Sequence, residues 1–67
     1  MDIRRRVGLN MKRLRQEKGW SQEEFAERCG LHRTYISGLE RGVRNPTITV
    51  LEKIAAALQA RIGELAD

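Results

Sequence analysis

A chain of 67 residues makes one small domain, with a core only marginally stable alone and no room for a deep, water-excluded catalytic cleft. Thirteen Lys and Arg face nine Asp and Glu, and ten of the thirteen are Arg, a basic balance that draws polyanions, nucleic acid foremost. The lone cysteine, Cys29, excludes an intramolecular disulfide framework and a cysteine-based zinc finger, and no apolar run approaches the roughly 20 residues of a membrane span.

The first predicted helix runs from about Asp2 to Lys18. Ile3, Val7, Met11 and Leu14 recur at helical spacing and make one apolar stripe. Asp2 can accept from the unpaired N–H groups at the start, and Gly19 can end the helix in the left-handed conformation. Gly8, inside the helix, costs about 1 kcal/mol relative to alanine. Arg4, Arg5 and Arg6 form a short basic run, open between steering towards DNA and simple solvation. No apolar stretch follows that run, so it does not read as a signal peptide. The expectation is one domain, 1–67, in the reducing cytoplasm.

The second helix carries a strong start signal. Ser21 stands at the N-cap with Glu24 three residues on, the spacing of a capping box. Trp20 and Phe25 flank that cap at the spacing of a hydrophobic staple, a structural role for the tryptophan. The helix ends near Cys29, which reads as a small packing residue, and Gly30 follows.

The third helix spans about Arg33 to Arg41, with Ile36 and Leu39 inward and Gly42 as its stop. The fourth spans about Thr47 to Leu58, capped by Thr47 or started at Asn45–Pro46, with a core stripe of Ile48, Leu51, Ile54, Ala55 and Leu58. A fifth, about Ile62 to Ala66, is poorly encoded. Gln59 stands where glycine would stop the previous helix, Arg61 is a poor cap, and Gly63 adds a further cost. The fold class is all-α, a compact bundle of four to five helices with a central helix-turn-helix.

That motif is specified by residues that need one another. Two helices joined by a tight turn cross steeply. Ala26 is small enough to let them approach, Gly30 supplies the positive φ of the turn, and Ile36 reaches back to lock the crossing. Phe25, Leu31 and Leu39 close the core around that contact.

The strings LRQEKGWSQEEFAERCGL, RTYISGLERG and NPTITVLEKIAAAL carry a resemblance to the Cro and repressor type of helix-turn-helix, the XRE-like family. It covers nearly the whole chain, and RTYISGLERGVRNPTI is most similar to the controller proteins of restriction–modification systems. The resemblance implies a lambda repressor-like fold. It also implies a buttressing first helix, a second lying across the DNA backbone, and a third in the major groove. A helix N-terminus suits phosphate on physical grounds as well. Gln22, just inside that terminus, can donate to the same phosphate, a frequent backbone contact in the family.

Base reading falls to the outward face of the third helix. Arg33 leads it and can pair bidentately with guanine, Thr34 can meet a thymine methyl, and Ser37 lies one turn further on the same face. Gly38 also falls on the groove side, where a missing side chain would let the helix sit deep. Backbone contacts are expected from Gln22, His32, Tyr35, Arg41, Arg44 and Asn45. Tyr35 stays open between packing and phosphate. His32, an unusual N-cap, has no second histidine with which to share a metal. The resemblance to phage repressors implies an ion pair between Arg15 and Glu40.

The expected partner is double-stranded DNA, bound by a homodimer on a palindromic operator, with RNA polymerase as a possible neighbour. Val50, Ile62 and Leu65 are the candidate dimer contacts, equally readable as core. No cofactor, metal or small-molecule ligand is indicated. An enzyme is not expected, because the single His and single Cys fall inside the packed motif. The alternative is a protein-interaction module that uses the same fold without reading DNA.

Overall fold

The computed structural model describes residues 2–67. Five helices follow in chain order: α1 (Ile3–Glu17), α2 (Gln22–Cys29), α3 (Arg33–Glu40), α4 (Ile48–Leu58) and α5 (Ile62–Ala66). No strand occurs among the described residues, in keeping with the all-α class expected.

Side-chain acceptors start three of the helices. Asp2 Oδ1 accepts from the Arg4 backbone N–H at 2.7 Å, and its other oxygen holds the Arg4 guanidinium at 2.9 Å. The Arg4 side-chain bond first, then the backbone bond, lower the Asp2 carboxyl from 3.8 to about 2. Ser21 Oγ accepts from Glu24 N–H at 3.0 Å, and Thr47 Oγ1 from Val50 N–H at 3.1 Å. The expected capping box at Ser21 is half made. The Glu24 carboxylate turns instead to Arg28, one helical turn on, at 2.8 Å. Arg28 in turn covers the Trp20 ring at 4.3 Å from its centroid, while Trp20 lies 6.1 Å from Phe25 across the cap.

The largest fully buried side chains come from every helix: Met11 from α1, Phe25 from α2, Ile36 and Leu39 from α3, Ile54 from α4 and Leu65 from α5. Leu65 is therefore core, not dimer surface. It is 0% exposed, and Asn10 Nδ2 donates to its carbonyl at 2.8 Å, tying α5 to α1. Two other inward assignments also fail. Ile3 is 50% and Ile48 67% exposed, because each begins its helix where the apolar stripe runs past the edge of the core.

Helix α5 has the expected bounds, although Arg61 offers its N-terminus no acceptor. The start is closed the other way round, by the Arg61 N–H donating to Glu64 Oε1 at 3.2 Å. Gln59 ends α4 in the left-handed conformation at φ 55°, a place where glycine is unstrained.

Gly8 does more than lower helix propensity. A Cβ there would collide with the carbonyl oxygens of Leu39 and Glu40. Its absence lets the C-terminus of α3 rest directly on α1, which sets the angle at which α3 leaves the core.

Candidate nucleic-acid interface

The turn between α2 and α3 aims the third helix outwards. Gly30 takes φ 69° and ψ 31°, and the Leu31 N–H returns to the Ala26 carbonyl at 2.9 Å. Ala26 is buried beneath this turn and Ile36 is wholly enclosed. With Ile36 and Leu39 turned in, Arg33 and Thr34 are left exposed and Ser37 half-buried on the outer face.

These side chains share one place. A polar cleft of about 170 Å³ opens between the first residue of α2 and the outer face of α3, lined by Gln22, Arg33, Thr34 and Ser37. It brings together the three residues expected to read bases and one expected to hold the backbone. Among the described residues Arg33, Arg41 and Arg44 are in no ion pair. Their charge therefore faces outwards uncompensated by a bonded acid. At the start of α2 the Glu24 carboxylate is paired with Arg28, while Glu23 beside it is in no ion pair among the described residues.

The remaining backbone candidates lie outside this cleft. His32 is exposed, makes no cap bond to α3, and borders a separate open hollow of about 230 Å³ together with Glu23, Glu27 and Arg33. Arg41 is exposed immediately beyond α3. Arg44 returns over the helix, its guanidinium 5.6 Å from the Tyr35 ring centroid. Its stem lies where a Cβ on Gly38 would be, 2.8 Å from Arg44 Cγ. Gly38 is consequently buried under Arg44 and does not face open groove, and Tyr35 is half-buried beneath the same arginine. Asn45 lines an apolar hollow with Ile3, Val7, Pro46 and Leu51. The sequence held no sign that the loop doubles back over α3, since loop paths leave no periodicity to read.

Behind the cleft sits a buried ionic cluster. Arg15 donates through Nε to Glu40 Oε2 at 2.8 Å and through Nη2 to Oε1 at 3.0 Å. The two side chains are 10% and 2% exposed. Arg15 Nη1 also donates to the Trp20 carbonyl at 2.8 Å, and Gln22 Nε2 donates to Glu40 Oε1 at 3.1 Å. No buried side-chain polar atom is left without a partner among the described residues. The contact between Gln22 and Glu40 was not foreseen. The residues are 18 apart and belong to different helices, so no local spacing signals it.

Burial pushes the Cys29 thiol up to about 11, so near neutrality it is an un-ionised packing group. No cluster of metal-ligating side chains occurs among the described residues.

Comparison with known proteins places this architecture. The helix-turn-helix family profile matches residues 11–65. The chain belongs to the helix-turn-helix family, in its Cro and repressor (XRE) type. The uncharacterized HTH-type transcriptional regulator y4dJ of Sinorhizobium fredii is 53% identical over 65 residues, covering 97% of this chain and 84% of that one. The crystal structure of the restriction–modification controller protein C.AhdI from Aeromonas hydrophila superposes with a TM-score of 0.89 at 40% identity, over 92% of this chain and 94% of that one. SinR, the master regulator for biofilm formation, is also similar in its crystal structure in complex with DNA. The TM-score is 0.87 at 40% identity, over 91% of this chain and 98% of the solved one. This helix-turn-helix chain spans 56% of the SinR sequence of Bacillus subtilis.

Proposed function

We propose that this protein is a transcriptional regulator that binds double-stranded DNA sequence-specifically, with α3 in the major groove. The single observation that carries the reading is the shared cleft of Gln22, Arg33, Thr34 and Ser37, an outward polar face on which Arg33 is in no ion pair among the described residues. In this reading Arg33 pairs with guanine, while Thr34 and Ser37 contact neighbouring base edges. Gln22, His32, Tyr35, Arg41, Arg44 and Asn45 contact the sugar–phosphate backbone and fix register without reading sequence. SinR, solved in complex with DNA, supports the partner class, since the two chains share the fold at 40% identity.

One short helix reads only a few base pairs, which is too little for selectivity. The protein therefore acts as a homodimer on a palindromic operator, with half-sites about one helical turn, roughly 34 Å, apart. Exposed Ile62 and half-buried Val50 are its candidate dimer contacts. Operator position relative to RNA polymerase would decide activation or repression, and the site of action would be the cytoplasm.

Selection of binding sites from a random duplex pool tests this directly. The expected result is a two-fold symmetric consensus with a fixed spacing, and affinity that falls steeply with salt as phosphate contacts release counterions. Retention of duplexes without any consensus would exclude base reading and leave non-specific DNA binding, and retention of no duplex would leave protein interaction as the use of the fold.

A further inference from the structure

The buried cluster behind the cleft has a part in recognition as well as in stability. We infer that Glu40 is a positioning residue for DNA binding, which fixes the Gln22 side-chain amide so that it meets the DNA backbone already oriented. The inference rests on the regulator reading and deepens it.

Gln22 has one foot in each environment. Its Nε2 donates inwards to Glu40 Oε1 at 3.1 Å, and the same side chain lines the outward cleft with Arg33, Thr34 and Ser37. The bond has only one sense. A carboxylate oxygen accepts, so the nitrogen side of the amide must face Glu40, and the amide cannot flip without losing the contact. One N–H is used on Glu40, and the other remains on an amide whose plane is set. A phosphate oxygen needs such a donor, and a donor held in place gives up less conformational freedom on binding than a free glutamine.

Glu40 does not itself deter the phosphate. Both of its oxygens are engaged by Arg15, at 2.8 and 3.0 Å, so the anion behind Gln22 is matched by a cation bonded to both of them. Arg15 also grips the Trp20 carbonyl at 2.8 Å, one residue before the cap of α2. A single chain of hydrogen bonds thus runs from α1 through the end of α3 to the first residue of α2. It locks the donor on α2 to the reading helix α3, so the two DNA contacts move as one body.

The test pairs a measurement on the free protein with one on the complex. In the free wild-type protein, side-chain ¹⁵N relaxation should show the Gln22 amide markedly more ordered than those of exposed Gln16 and Gln59. In Glu40→Asp, which keeps a carboxylate for Arg15 but draws it back by one methylene, the Gln22 amide should become as mobile as those two. On the selected operator, Gln22→Ala should weaken binding about tenfold in the wild-type background and less than about twofold in the Glu40→Asp background. Binding is compared only where circular dichroism shows each variant folded. Equal mobility of Gln22 and Gln16 in the wild type, which needs no variant to fold, would overturn the inference. Equal losses for Gln22→Ala in both backgrounds would overturn it too, reducing Glu40 to a purely structural residue while DNA binding stands. If the wild-type protein shows no duplex preference at all, the regulator reading fails first, and the role of this contact falls with it.

Discussion

The central motif and the C-terminal pair of helices are built on different logic. In residues 22 to 40 local and tertiary signals largely agree, although His32 leaves the start of α3 without a side-chain cap. Ser21 caps α2, Gly30 turns the chain, Ile36 fills the crossing, and a fully bonded ionic cluster closes the back. In residues 48 to 66 they conflict. Gln59 holds a left-handed turn that suits glycine, α5 has only five residues, and its N-cap offers no acceptor. What holds α5 is docking, through Leu65 in the core and the Asn10 bond to its carbonyl. The segment proposed to meet DNA is fixed by its cap at Ser21, its turn at Gly30 and its packed crossing, and the trailing helix depends on its neighbours.

That contrast can be broken from either side. Removing one partner of the buried pair, as in Arg15→Ala or Glu40→Ala, strands a charge in the interior and should cost about 3–5 kcal/mol. For a domain this small that is most of the total stability. Chemical denaturation should show a collapse of the midpoint, and the Arg15/Glu40 double variant should recover part of the loss. Leu65→Ala should cost about 2–4 kcal/mol by leaving a cavity under α5. Hydrogen exchange should locate the damage in α5 and its contact with α1 before it reaches α3. Loss of protection at α3 first would mean that the two regions are not separable.

A smaller change sharpens the comparison. Gln59→Gly relieves a positive φ in a side-chain-bearing residue and should raise stability by about 0.5–1 kcal/mol in thermal melts. The smallest effect concerns the start of α1. The Asp2 carboxyl is lowered from 3.8 to about 2 by its bonds to Arg4. Its contribution is therefore complete above about pH 4 and is lost as pH falls towards 2. The Arg4 amide resonance should follow that titration, and in Asp2→Asn it should not.

Much of the architecture was legible because helix ends and turns are chemically local. Asp2, Ser21 and Thr47 accept from the expected first turns, and Gly30 bends the chain where a glycine was required. Apolar periodicity found the buried face of each helix but not its limits, so Ile3 and Ile48 were carried past the edge of the core. The ambiguity at Leu65 had the same origin. Its spacing marks one apolar position and cannot say whether this chain or a second copy covers it. Close approaches were the hardest to read. Gly8 resembled a helix defect, yet it is where α3 rests on α1, and Gly38 resembled open groove, yet Arg44 lies across it. For the interface, the side chains on α3 followed from subtraction of its inward positions. The Gln22 bond to Glu40 needed the helices to be placed first.

Base reading by the outward face of α3 rests most heavily on Arg33. Affinities of the wild type and Arg33→Ala should be measured across every single-base substitution of the selected operator, at fixed salt. A loss of about 1–3 kcal/mol that erases the preference at one base pair in each half-site is the predicted result. An equal loss on every sequence would make Arg33 a backbone contact and contradict the account.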